Sequence, residues 1–182
     1  SRTSLYCAWQ DFVRGKKYKK DVSEYSLRLD YNLRELHTIL KNKTYSHGTY
    51  SHFKINDPKS RDIHKAFVRD RVVHHLLYTA LYPYFDKKFI YDSYSCRINK
   101  GTHKAIVRFK DFARSVSCNN TKTCWVLKCD IRKFFANIDH EILLTILRKR
   151  ISDKDTLQLL TVVIHSFHSG VAGKGLPLGN LT

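Results

Sequence analysis

The stretch TKTCWVLKCDIRKFFANIDHEIL, residues 121–143, constrains this chain more than any other. Side chains alternate along a strand, so Trp125, Leu127 and Cys129 fall on one side of an extended run and Val126, Lys128 and Asp130 on the other. The spacing predicts a strand that ends at Asp130, with the rings of Phe134 and Phe135 following within one turn. Asp139 then opens a helix carrying leucine and isoleucine on one side. A carboxylate fixed at a strand terminus beside bulky rings suits a metal-bound nucleotide site, which needs a rigid anionic ligand next to a flat wall. Acidic residues at strand ends also start ordinary turns, so the rest of the chain has to decide.

Charge narrows the choice. The 182 residues carry 33 Lys+Arg against 16 Asp+Glu, a formal net charge of +17. A fold with that balance repels itself and implies a polyanionic partner, nucleic acid first. The length allows one core, or two small subdomains sharing one. No stretch is a basic amphipathic helix free of acidic residues, and none reaches a spanning length, so no membrane partner is expected. The opening SRTSLYCAWQ has no long apolar run behind Arg2 and does not read as an export signal. Cys7, Cys96, Cys118, Cys124 and Cys129 form no CxxC and no zinc spacing with histidine. They read as free thiols in a reducing compartment, the cytoplasm. His74/His75 and His165/His168 lack a third ligand and read as structural or surface residues.

In chain order, residues 3–13 predict a short helix with Leu5, Trp9 and Phe12 inward. RGKKYKK (14–20) is either a solvated link or a phosphate-tracking strip whose tyrosine stacks on a base. Val22, Tyr25, Leu29, Leu33, Leu36 and Leu40 recur at three and four, predicting one amphipathic helix over 22–41. SHFKIN and KSRDIHKA, with Asp57 and Pro58 between them, predict an antiparallel hairpin decorated by Lys54, Lys59, Arg61 and Lys65. Those cations are either plain surface or a ligand strip. A helix from Val68 to Leu81 should end before Pro83, with Arg69, Asp70 and Arg71 in structural ion pairs. Asn99, Lys100 and Gly101 predict a turn after an aromatic and basic run. Thr102 should cap a helix burying Ala105, Ile106, Phe109, Phe112, Ala113 and Val116 and exposing Lys104, Arg108, Lys110 and Arg114. Further on, Ile142, Leu143, Ile146 and Leu147 predict an apolar stripe. Ser152 with Asp155 resembles a capping box, and 157–167 reads as a buried helix. Four of the seven glycines, Gly170, Gly173, Gly175 and Gly179, crowd around Leu176, Pro177 and Leu178, either for close approach to a ligand or as a loose terminus.

DPKSR, RDRVVHHLL, FIYDSYSCRINKGTHKA, LKCDIRKFFANIDH and GLPLGNLT, in that order, closely resemble the fingers and first part of the palm of bacterial reverse transcriptases. Among these the chain looks most like the enzymes of diversity-generating retroelements, with group II intron-type polymerases as neighbours. The resemblance implies an α/β (α+β) right-hand polymerase portion, helix-rich with a small antiparallel fingers hairpin: a basic extension over 1–20, fingers over 21–118 and a partial palm over 119–182. It makes Asp130 the catalytic metal-binding aspartate, with Ile131 supplying backbone to the metal and Arg132 lying near the triphosphate. Phe135, beside Phe134, becomes the ring that excludes a ribose 2′-hydroxyl by collision. Lys59 and Arg61 become the clamp on the incoming triphosphate, and Pro177, Leu178 and Gly179 the loop against the nascent base pair. The basic loop and helix, through Arg97, Lys100, Lys104 and Arg108, would follow a nucleic-acid backbone. Implied partners are Mg²⁺ at a two-metal site, an RNA template, a DNA or RNA primer, deoxynucleoside triphosphates and a small accessory protein.

Two departures matter. Many reverse transcriptases carry Gln-Gly where this chain has Leu178-Gly179. An aliphatic group cannot make the amide's hydrogen bonds, so the resemblance implies looser checking and error-prone copying at template adenines. The family's paired aspartates and thumb lie beyond Thr182, so these residues alone are expected to be inactive: two-metal transfer needs carboxylates from two strands. The rival reading is a noncatalytic RNA-binding module on the same fold. A metal nuclease on Asp130 has too few ligands.

Overall fold

The computed structural model describes residues 1–56 and 60–180, and the architecture is α+β: helices with one small antiparallel sheet. The elements run α1 (Arg2–Val13), α2 (Lys20–Ser26), α3 (Leu29–Lys41), β1 (Tyr50–Asn56), β2 (Ser60–Ala66), α4 (Val68–Asp86), α5 (Thr102–Val116), α6 (Phe134–Asn137), α7 (His140–Arg148) and α8 (Lys154–His165). They form two compact units, one of Ser1–Ala80 with the chain from Lys133 onward, the other of Leu81–Arg132.

The first unit has a true core. Leu5, Trp9 and Phe12 of α1 meet Val22, Leu36 and the α4 residues Val68, Val72, Val73 and Leu77, with α8 adding Leu159, Leu160, Val162 and Val163. In α4's first turn Asp70 is fully buried, accepting from the Tyr45 hydroxyl (2.8 Å), the Gly48 N–H (3.2 Å) and Arg69. Four donors on one carboxylate fix the 45–48 loop to the helix and so aim the hairpin that follows it.

Several sequence expectations are corrected. The helix over 22–41 is two helices. Arg28 leaves helical geometry (φ −122°, ψ 35°), and the Asn32 side-chain amide donates to the Tyr25 carbonyl (2.9 Å), satisfying a backbone acceptor that a continuous helix would have used internally. α4 does not stop before Pro83 but contains it. Its last turn is held from outside: the Tyr82 hydroxyl donates to Asp86, and Arg97 donates to both the carboxylate and the carbonyl of Asp86. α5 begins at Thr102 with Gly101, at φ +96°, as its cap. Its stripe is not buried: Ile106, Phe109, Phe112 and Val116 are about half or more exposed, because no described element of its unit covers them. In α7 the buried residues are His140 and Leu144, while Ile142 and Ile146 face outward. Asp153, not Ser152, caps α8, accepting from the Thr156 N–H. α8 is half-buried, with Ile164 its one fully buried residue. Finally, 123–131 form no strand. Trp125 (94 % exposed) and Leu127 (89 %) have the strand alternation, but among the described residues no neighbouring strand pairs with them, and an unpaired run gains no ladder.

Candidate nucleic-acid interface

The hairpin register decides which side chains act together. Phe53 lies opposite Ile63, Ile55 opposite Arg61 and Ser51 opposite Lys65. Directly opposed residues share a face, so Arg61, Ile63 and Lys65 project with Phe53 and Ile55. His52 and His64 stack on the other face (4.7 Å). Lys59 lies outside the described residues.

The glycine-rich segment is stitched onto the free edge of β2. The His64 N–H donates to the Leu178 carbonyl (2.9 Å), the Ala66 N–H donates to Asn180 Oδ1 (2.9 Å), and Asn180 Nδ2 returns a hydrogen bond to the His64 carbonyl (2.6 Å). Gly179 is left-handed at φ +100°, and a Cβ there would overlap Ile63 Cγ2. The other end of the segment is tied to the chain after Phe134. Leu176 N–H donates to the Phe135 carbonyl (2.9 Å), Gly175 N–H to the Ile138 carbonyl (2.8 Å), and the buried His140 ring to the Gly175 carbonyl (2.7 Å). Phe135, the 177–179 loop and the strand bearing Arg61 are thereby held in one framework. Phe134 and Phe135 pack edge to face (5.3 Å), Phe134 half-exposed and Phe135 half-buried, after Lys133 in a left-handed turn.

Beside this framework lies an open groove of about 530 Å³, within the size range of ligand clefts. Phe12, Phe53, Ile55 and Ile63 give it apolar walls. Lys16, Lys19, Lys65 and Arg71 give it four cations, and Gly179 and Asn180 also line it. Lys16 sits 4.8 Å from the centre of the Phe12 ring, and the Arg71 guanidinium 5.0 Å from the same ring. Burial, then the positive charges of Arg71 and Lys19, pull the Lys16 ammonium below the usual lysine range. Asp21 accepts from Lys65 (2.6 Å) and from Arg71 Nη2. Partial burial opposes its ionisation, but Lys65 and Arg71 outweigh it and hold the carboxyl below the ordinary range. Apolar walls with clustered cations suit a phosphate-bearing ligand with flat bases.

The remaining predicted site residues lie in the other unit or its end. Asp130 is exposed, in the unpaired run, followed by exposed Ile131 and Arg132. Among the described residues no three His, Cys, Asp or Glu side chains group as a cation site. Asp130 alone therefore does not fit a two-metal centre, and no chemistry at a metal follows from these residues. Arg97 is 11 % exposed and spends its guanidinium internally, donating to Asp86 and to the Ile90 and Ser93 carbonyls. Lys100 donates to the Tyr91 carbonyl and lies 4.0 Å from that ring's centre. Arg108 pairs with Asp92 (3.0 Å) and lies over Phe112 (4.3 Å), while Lys104 is exposed on the first turn of α5. All five cysteines are free, and no described helix is long and apolar enough to cross a membrane.

Sequence reasoning missed Lys16, Lys19, Asp21 and Asn180 as neighbours of the hairpin. The two-residue spacing of Arg61, Ile63 and Lys65 announces their common face, but nothing local says that the α1–α2 link packs opposite it.

No family model matches the chain. It is similar to Protein YkfC of Escherichia coli (strain K12), 30 % identical over 119 residues, covering 63 % of this chain and 31 % of that protein. It is also similar to Nuclear intron maturase 1, mitochondrial, of Arabidopsis thaliana, 27 % identical over 92 residues covering 50 % of this chain and 12 % of that one. A third relative is the Putative COX1/OXI3 intron 2 protein of Saccharomyces cerevisiae (strain ATCC 204508 / S288c), 30 % identical over 92 residues covering 50 % and 10 %. The chain spans about a third or less of the length of these relatives. The similarities support a reverse transcriptase-like relationship.

Proposed function

We propose that these residues are the fingers and the start of the palm of a reverse transcriptase-like protein that binds RNA, and that the protein containing them copies an RNA template into DNA. The observation that carries the reading is the seating of the 176–180 segment along β2 beside the cationic groove. That arrangement puts the loop expected at the nascent base pair, the strand of the expected triphosphate clamp and a phosphate-compatible groove into one framework. The likeness to an intron maturase supports an RNA partner for the chain. In this reading Arg61, with Lys59, contacts the triphosphate, Phe135 guards the sugar, and primer, template and nucleotide are positioned so that little beyond charge neutralisation is asked of the protein. Asp130 and the Ile131 backbone would hold Mg²⁺ only together with ligands outside the described residues, and the ion would supply charge neutralisation at the phosphates. Closeness to the diversity-generating enzymes, and copying errors at template adenines, rest on Leu178 in place of glutamine.

Primer extension on RNA by the intact protein tests the reading. Asp130→Ala should abolish extension while leaving RNA binding within about twofold, and Phe135→Ala should admit ribonucleotides. An intact protein that binds RNA yet extends no primer with any divalent cation would favour the noncatalytic RNA-binding module.

A further inference from the structure

The groove holds more hydrogen-bonding capacity than its internal contacts use. Arg71 is 8 % exposed, and its Nε–H is a buried donor with no acceptor among the described residues. Among the described residues its one hydrogen bond is from Nη2, to Asp21. A buried guanidinium donor left unpaired is costly, and native folds seldom retain one without a use. Lys65 donates to the same Asp21 oxygen, Oδ2, at 2.6 Å. One carboxylate oxygen thus sits between a lysine and an arginine that both line the groove, with Lys16 beside them carrying a charge stressed by Arg71 and Lys19. That is the position and charge of one phosphate oxygen: a phosphodiester offers two anionic oxygens, enough for the spare donors of Arg71 as well as for Lys16 and Lys65. Asp21 is still about a third exposed, so its side chain can swing aside into water.

We propose that Lys65, Arg71 and Lys16 form a phosphodiester subsite of the groove, which the chain's own Asp21 occupies until a nucleic-acid phosphate displaces it. This rests on the RNA-binding reading above and adds to it a competition. Asp21 screens the groove against isolated anions, and an RNA strand wins because its other phosphates and bases bind at the same time.

The test is binding of a short single-stranded RNA to the intact protein across a salt series. Asp21→Asn keeps the shape and removes the competing charge. It should bind about three- to tenfold tighter than wild type with an unchanged slope of log K against log salt, because the same phosphate is neutralised in both once Asp21 has been displaced. Lys65→Gln added to Asp21→Asn should cancel the gain. A folded Asp21→Asn that binds RNA equally or more weakly overturns the subsite while leaving the RNA-binding reading intact. Wild type without salt-dependent binding overturns that reading. The subsite is then tested by inorganic tripolyphosphate, which should raise the melting temperature of Asp21→Asn more than that of wild type, equal shifts rejecting it. Should Asp21→Asn fail to fold, Asp21→Ser, which also lacks the charge, gives the same comparison.

Discussion

Single residues carry much of this framework. Gly179 occupies a left-handed conformation with the Ile63 side chain pressed where a Cβ would stand, so Gly179→Ala meets both backbone strain and a clash with a β-branched methyl that cannot turn away. Undocking the loop from β2 is the cheaper escape. The variant should lose about 1–3 kcal/mol of stability and, measured by hydrogen exchange, the protection of the His64 and Ala66 amides. His74 makes a second case. Its Nε2 lies 3.1 Å from Nε2 of His47, whose Nδ1 donates to the Gly48 carbonyl (2.7 Å), so His47 Nε2 must accept and His74 must donate. That leaves His74 Nδ1 as a buried lone pair without a partner among the described residues. Burial, reinforced by the neighbouring His47, pulls the His74 pKa down to about 4. The unfolded chain therefore binds a proton that the folded chain refuses between about pH 6.5 and 4. Stability is full above about pH 6.5 and falls as pH drops through that window, by up to about 3 kcal/mol. Urea melts at pH 7.5 and 4.5 should show the loss, and His74→Phe should flatten it.

At the scale of elements, what the sequence reveals depends on whether the signal is local. The hairpin, α1, the Asp139 cap of α7 and the Arg69–Asp70 ion pair are readable, because alternation, a capping carboxylate and adjacent opposite charges act within a few residues, whereas the partner of Arg71 is the distant Asp21. The break between α2 and α3 is not readable from periodicity. Leu29 and Leu33 continue the stripe begun by Val22 and Tyr25, and only the Asn32 amide turning back to the Tyr25 carbonyl reveals that the chain has left the helix. Asn32→Ala removes that bond and leaves the carbonyl to water, so thermal unfolding should show a loss of about 1 kcal/mol. Pro83 misleads for the same reason: its helix survives through contacts from Arg97, fourteen residues away in sequence. The unpaired 123–131 run and the uncovered α5 stripe carry strong local patterns whose partners are not among the described residues. The candidate site was legible as a set of residue types and only partly as a neighbourhood. Arg61, Phe135 and the 177–179 loop follow from motif order, whereas the groove depends on α1, the α1–α2 link, the hairpin and α4 coming together from distant parts of the chain.

For the molecule as a whole, 33 Lys+Arg against 16 Asp+Glu leave an excess of 17 cations that no carboxylate of the chain can match one to one. Of the groove's cations, Lys65 and Arg71 share one carboxylate, and Lys16 and Lys19 have none among the ion pairs described. Tyr18 is fully exposed between Lys17 and Lys19, and under the proposed RNA-binding reading its ring would stack on a base. Binding through such a surface is driven by counterion release, so its strength should collapse with salt rather than with temperature or sequence. If six or more phosphates are neutralised, affinity for single-stranded RNA should fall by roughly three hundredfold or more between about 50 and 200 mM salt. Replacing Lys16 and Lys19 together by glutamine should reduce the slope by about 1.4, two phosphates' worth, equally for unrelated RNA sequences. A shallow salt dependence with affinity set by base sequence would mean that the RNA is read by base edges, and that the positive charge serves something other than the groove.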